Sequence, residues 1–344
     1  MTQFTDRQGN SSAGKQVTEG AAPGVLRRVP FSGEGSAAPE VLAEREWLIT
    51  NGLGGYASGT LLGAITRRYH GLLIAALAAP FGRVMMLNQL TEHLELSDRR
   101  HIELSSGLGF NESSESPGFA SLTEFRLEDG VPVWRYQIGG IVIEKKIFMV
   151  HGQNTTLTSY ALLEGDERVR VKLCPHVQFR LHENSVDKAV AGYTLKATRQ
   201  GFEICTAAAQ PRLRLLVHGR DWRFSGGDAQ IDKVFFRAEQ QRGYEAFGEL
   251  CSFGWFEAEV GRGQPMTLVA STEPWASITE MAPQECFAAE FSRRQRLASG
   301  AKIDDGTSIR AELMLAADQF VIAPVDPNKE KDAVGARTII AGYH

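Results

Sequence analysis

"VWRYQIGGIVIEKKIFMV", residues 133–150, decides the fold. Two arms rich in β-branched and aromatic residues meet at Gly139-Gly140, the pattern of a β-hairpin. Outward from it, "TTLTSYALLE" and "VRVKLCPHVQF" follow across Gly165-Asp166, and "RVMMLNQLTEHLEL" and "RHIELSS" precede it. The series continues through "YTLKAT", "GFEICTAA", "LRLLVHG", "DKVFFRAEQ", "SFGWFEAEV" and "MTLVAST". Turn signals recur between these short runs, which predicts antiparallel strands and not βαβ units. So many strands exceed one immunoglobulin-sized domain, so the expected fold is mainly β: a large antiparallel two-sheet sandwich.

The texture changes after Pro274-Trp275. "SITEMAPQECFAAEFSRRQRLAS" carries helical spacing, with Phe287, Phe291 and Leu297 on one face. "SIRAELMLAADQFVIA" is a second helix pattern, ended by Pro324, and "VDPNKEKDAVGA" reads as a loop. The expected organisation is a mobile leader over 1–40, a β-sandwich over 41–278 and a helical segment over 279–344. In that last segment Leu313, Leu315, Phe320, Val321, Ile339 and Ile340 call for an apolar partner.

The 344 residues are 43% hydrophobic and 23% charged, with a net charge of -4. Interspersed charge argues against a nucleic-acid surface. No apolar run reaches membrane-spanning length. The polar first residues lack the apolar stretch of a secretory signal, so the expected compartment is the cytoplasm. The four cysteines, Cys174, Cys205, Cys251 and Cys286, form no CxxC pair or Cys/His cluster. Neither a zinc site nor a disulfide framework is expected, and no metal or organic cofactor is implied.

The most distinctive stretch is "NGLGGYASGTLLGAITRRYHGLLIA", residues 51–75. Gly52, Gly54 and Gly55 allow a positive φ or close backbone approach. The GxGG pattern has neither GxGxxG spacing nor a βαβ context, which argues against nucleotide binding. Arg67, Arg68, Tyr69 and His70 stand before a buried-strand run. The bland reading pairs the arginines with carboxylates and sets Tyr69 and His70 at a sheet edge. The functional reading makes Asn51, Gly54, Gly55, Tyr56, Arg67, Arg68, Tyr69 and His70 a substrate-binding or domain-interface segment.

"EWLITNGLGGYASGT", "TRRYHGLLIA" and "NQLTEHLEL", with "AADQFVI" and "RTIIAGYH" near the end, resemble the N-terminal domain of bacterial and archaeal glycogen debranching enzymes, the amylo-α-1,6-glucosidase type. The likeness spans residues 45–344. It implies a sandwich of the supersandwich kind, linker helices, and the truncated start of a C-terminal (α/α)₆ catalytic toroid. The partners implied are that toroid and glycogen or another branched α-glucan. Cleavage of an α-1,6 bond needs two carboxyl groups; the resemblance places them in the toroid, so no residue here is assigned as catalytic and the chain alone is expected to be inactive. Glu92, Glu95, Glu124 and Asp129 read as solvated surface acids. Trp134, Trp222, Trp255 and Tyr56 are sugar-stacking candidates, with core burial favoured for Trp134 and Trp255. A stand-alone carbohydrate-binding module and a purely structural domain are the rival readings.

Overall fold

The computed structural model describes residues 24–31, 39–104, 119–165, 168–206, 211–299, 309–325 and 337–343. In chain order it begins with β1 (Val25–Pro30), α1 (Pro39–Glu44), β2 (Glu46–Thr50), β3 (Tyr56–Thr60), β4 (Gly71–Ala76), β5 (Arg83–Leu87), β6 (Gln89–Glu95) and β7 (His101–Glu103). The middle runs β8 (Leu122–Glu128), β9 (Val131–Ile138), β10 (Ile141–Met149), β11 (Thr155–Glu164), β12 (Val169–His176), β13 (Arg180–Leu181), β14 (Tyr193–Ala197), β15 (Phe202–Thr206) and β16 (Leu213–His218). Then come β17 (Arg220–Phe235), α2 (Arg237–Gln241), β18 (Phe247–Val260), β19 (Met266–Ser271), α3 (Trp275–Thr279), α4 (Pro283–Ser299), α5 (Ile309–Asp318), β20 (Val321–Ile322) and β21 (Thr338–Ile339).

The hairpin of residues 133–150 forms as the sequence predicts. Ile138 pairs with Ile141 across the turn, and Gly139 takes φ 60°. It supplies the third and fourth strands of a nine-stranded antiparallel sheet ordered β1-β8-β9-β10-β11-β19-β16-β15-β14. Two five-stranded sheets, β17-β18-β12-β6-β7 and β13-β5-β4-β3-β2, face it. Between them lies one apolar core, with Trp134, Tyr136 and Ile147 from the large sheet, Leu94, Leu173 and Phe256 from one small sheet, and Trp47, Ala57 and Leu73 from the other. The fold is a β-sandwich.

The large sheet is covered on both faces in its middle. Phe148, Leu157 and Val269 point away from the main core and meet Ile278 and Met281 of the helical segment. The rings of Phe148 and Phe287 lie 3.8 Å apart. This second cover explains why β10 is buried at almost every position instead of alternating.

Three local expectations differ. Within the stretch read as a leader, Val25–Pro30 is an edge strand paired with β8; residues 1–23 and 32–38 lie outside the described residues. "DKVFFRAEQ" is half strand and half helix, because the chain turns at Phe236 into α2. The stretch "RDWRFSGGDAQ", which carries turn signals, belongs to the long strand β17, whose register is irregular on both sides of Arg223–Gly226. The loop expected over 325–336 lies almost wholly outside the described residues.

Candidate functional site

The Asn51–Gly55 stretch is the turn between β2 and β3. Gly52 and Gly54 take φ 74° and 98°, values that suit glycine. The Asn51 side chain closes the turn: its Oδ1 accepts from Leu53 N at 2.9 Å and Gly55 N at 3.0 Å. Its Nδ2 donates to Gln153 O at 3.0 Å and Asn154 Oδ1 at 2.9 Å. Asn154 in turn holds both backbone groups of Ala76. A Cβ on Gly55 would stand 2.9 Å from Ile74 O. Three distant segments are therefore drawn together on this turn, and Asn51 is fully buried with its hydrogen bonds satisfied.

Tyr56 and the Arg67–His70 stretch are buried beside it. Tyr56 Oη donates to Tyr69 O at 2.9 Å and lies 2.8 Å from His182 Nε2. With that proton given to Tyr69, Tyr56 accepts from the imidazole. His182 Nδ1 lies 2.8 Å from the exposed Glu183 carboxylate; a neutral ring carries one N–H and donates to Tyr56 or to Glu183, not to both. Arg180, 1% exposed, spends its guanidinium on Gln178 and on the backbone carbonyls of Arg68, His182 and Asn184. Arg68 stacks on Tyr69 at 4.7 Å and Tyr244 at 5.3 Å, and its backbone N–H donates to the buried Glu239 at 3.0 Å. His70 accepts at Nδ1 from Thr66 N at 3.1 Å, and its Nε2 lies 3.2 Å from Glu46, which also binds Arg67.

Burial dominates the electrostatics of this cluster. It pushes the Tyr56 phenol well above its ordinary range and pulls the Arg180 guanidinium down to about 10. It also lowers His182, against the opposing pull of Glu183. Burial opposes the charge on Glu46 too, but His70 and Arg67 outweigh it and hold that carboxyl at about 2.

The chain's own C-terminal run lands on this segment. Ala323 N donates to Gly52 O at 2.8 Å, and Gln319 Nε2 donates to Leu48 O at 3.1 Å. Tyr343 sets its ring 5.1 Å from that of Tyr56, donates to Gln319 O at 2.6 Å and lies under Arg83 at 4.9 Å. Tyr56, Ile74, Met85 and Tyr343 form a small core of their own, flanked by Phe320 and Ile340.

Asn51, Gly54, Gly55, Tyr56, Arg67, Arg68, Tyr69 and His70 thus lie in one connected region. They do not present an open polar surface, since Asn51, Tyr56 and His70 have no solvent exposure. Arg180, His182, Glu239 and Tyr343 complete the region and carry no local sequence signal, each being more than 100 residues from the segment 51–70. The acid reading needs correction at Asp129, which is buried at the β8–β9 turn, and at Glu92. Glu92 points into the core, 1% exposed, paired with Lys145 Nζ at 2.5 Å and accepting from Tyr160 Oη. Glu95 pairs with Lys172, Glu124 with Arg28 and Arg126, and Asp129 accepts from Gln295. Trp134 is core and donates to Leu61 O at 2.7 Å. Trp255 is half-buried against His93, and Trp222 is exposed. Among the described residues no group of three or more His, Cys, Asp or Glu could hold a metal, and no helix is long and apolar enough to cross a membrane.

Residues 45–267 match the family described as "Glycogen debranching enzyme N terminal". Among solved structures, a bacterial glucoamylase complexed with acarbose is similar at 8% identity and a TM-score of 0.36. That alignment covers 80% of this chain and 40% of the glucoamylase chain. No curated protein matches.

Proposed function

The chain belongs to the glycogen debranching enzyme N-terminal family, and from that premise we propose that it is the sandwich domain of an enzyme that breaks down branched α-glucan in the cytoplasm. Its role is to seat and support a C-terminal (α/α)₆ toroid that carries the hydrolytic carboxylates. The division proposed is a sandwich that runs to residue 278 and takes Val25–Pro30 as an edge strand, followed by a helical linker entering the toroid over 279–344.

The observation that carries this reading is the docking of residues 319–323 and of Tyr343 on the Asn51–Tyr56 turn, through the Ala323–Gly52 hydrogen bond and the Tyr343–Tyr56 contact. A buried, hydrogen-bonded turn that receives the following polypeptide is suited to fixing where the next domain begins. The segment 51–70 is accordingly proposed as a domain interface, and not as a direct sugar contact, because Asn51, Tyr56 and His70 are buried and engaged within the protein. Glu92, Glu95, Glu124 and Asp129 are likewise engaged with partners, which leaves the acid and base of α-1,6 cleavage to the toroid.

Mixing this chain with a separately produced toroid tests the reading. The expected result is release of glucose from branched dextrin by the mixture at a kcat/KM well above that of either piece. A toroid equally active without the chain would remove the supporting role.

A further inference from the structure

A groove of about 780 Å³ runs between the irregular segment 182–192 and the β17–β18 hairpin. We propose that this groove binds a stretch of neutral α-glucan, with Phe247 as the stacking platform. The proposal rests on the glucan reading above and adds a site to it.

The groove is built. The segment 182–192 has no regular structure, yet buried side chains hold it in place. Gln178 donates to Val186 O at 2.8 Å and to Glu249 O at 3.1 Å, fastening the segment to β18. Arg180 donates to Asn184 O at 2.6 Å. Val190 N donates to Phe179 O, and Phe179 N donates to Tyr193 Oη at 2.7 Å. Small residues at Ala189, Ala191, Gly192 and Ala229 keep the space open. A preformed cleft of this size suits a small-molecule ligand and spares it the cost of ordering a loop.

The lining selects the ligand class. Ile231 and Phe247 are 53% and 59% exposed there, an unusual placement for large apolar side chains. Phe247 is backed on one side by Phe235, with ring centroids 5.2 Å apart. It therefore offers a supported aromatic face, which matches the C–H face of a pyranose ring. Three charged residues line the groove, Asp187, Lys233 and Glu249, and each has a neighbour of opposite sign: Asp187 meets Lys188 at 2.9 Å, outside the lining, and Lys233 is the cross-strand partner of Glu249. They supply both donors and acceptors for hydroxyl groups without concentrating charge for an ionic ligand. An apolar floor with a sparse polar rim fits an amphipathic, uncharged sugar chain.

Calorimetric titration of the chain with maltoheptaose tests the proposal, with sodium dodecanoate as the apolar competitor. The expected result is binding that Phe247→Ala weakens by about tenfold or more. Ala191→Trp, at an exposed wall position, should abolish binding by filling the groove. Trp222→Ala, an exposed aromatic outside the groove, should leave it unchanged, and circular dichroism should report all three variants as folded. Maltoheptaose affinity unaltered by both groove variants would overturn the proposal and leave the glucan reading intact, with its site elsewhere. Failure of the parent chain to bind maltoheptaose, or dodecanoate binding in its place, would also overturn it. Failure of the toroid mixing experiment alongside groove-dependent maltoheptaose binding would sink only the supporting role.

Discussion

Tyr343 sets its ring 5.1 Å from that of Tyr56, 287 positions earlier in the chain. Both residues are buried, and the contact joins the last described strand region to the glycine-rich turn. Removing the Tyr343 ring should uncover Tyr56 and cut the bond to Gln319 O. Tyr343→Ala is expected to destabilise the protein by about 2–4 kcal/mol. Hydrogen exchange should accelerate at Phe320–Ala323 and at Gly52–Gly55, and stay unchanged in the β9–β10 hairpin. Uniform protection across all three regions would show that the C-terminal run does not depend on this ring.

Asn51 makes four hydrogen bonds from a side chain with no exposure. Asn51→Ala leaves two buried amide N–H groups and the Asn154 oxygen short of partners. A loss of about 2–4 kcal/mol in urea denaturation is expected. Arg67→Ala removes a partly exposed ion pair with Glu46, and the expected cost is about 1 kcal/mol or less. Equal costs for the two would mean that the turn is not held by Asn51.

These two cases mark what could be read from the sequence. The β9–β10 hairpin was legible because its arms, its glycine turn and its partners are all local. Residues 51–70 were legible as a distinctive segment, but their surroundings were not. Asn51 finds Asn154, Tyr56 finds His182, and Arg68 finds Glu239 only through tertiary pairing. A cluster of Arg, Tyr and His in sequence looks like a polar surface; folded, Tyr69 and His70 are buried and the two arginines are only partly exposed. Glu92 misled for the same reason, since a lone acid in a strand gives no sign of Lys145 and Tyr160 on the facing sheet. Strand β17 was hidden because edge exposure removes the alternation that reveals a strand, and Gly226-Gly227-Asp228 interrupts it.

The helical segment should unfold with the sandwich. Phe287 packs on Phe148 at 3.8 Å, and Arg294 bonds Glu290 and the Asp129 carbonyl at the β8–β9 turn. Phe287→Ala is expected to cost about 2–4 kcal/mol. In the parent chain the transitions seen at 222 nm and in near-ultraviolet circular dichroism should coincide. A separate, earlier loss of helix would mark α3 and α4 as an independent unit.

The last prediction concerns acid. Burial holds His176 down at about 4, against an ordinary 6.5, with Asp232 opposing. A neutral imidazole in the folded state and a protonated one in the unfolded state make the unfolded chain bind more protons below pH 6.5. Stability is therefore complete above that value and falls as pH drops towards about 4, by on the order of 3 kcal/mol from this one residue. Burial also lowers His93, His151, His182 and His218, which adds to the same loss in the same direction. Glu46 acts in a lower window. Its folded value of about 2, against 4.5, gives stability that is complete above 4.5 and disappears as pH falls through 2. Denaturant midpoints measured from pH 7.5 to pH 3 should therefore fall in two stages. His176→Gln should flatten the first stage, and Glu46→Gln the second. A midpoint that holds steady down to pH 4.5 would mean that the buried histidines are protonated in the folded protein, contrary to the burial argued here.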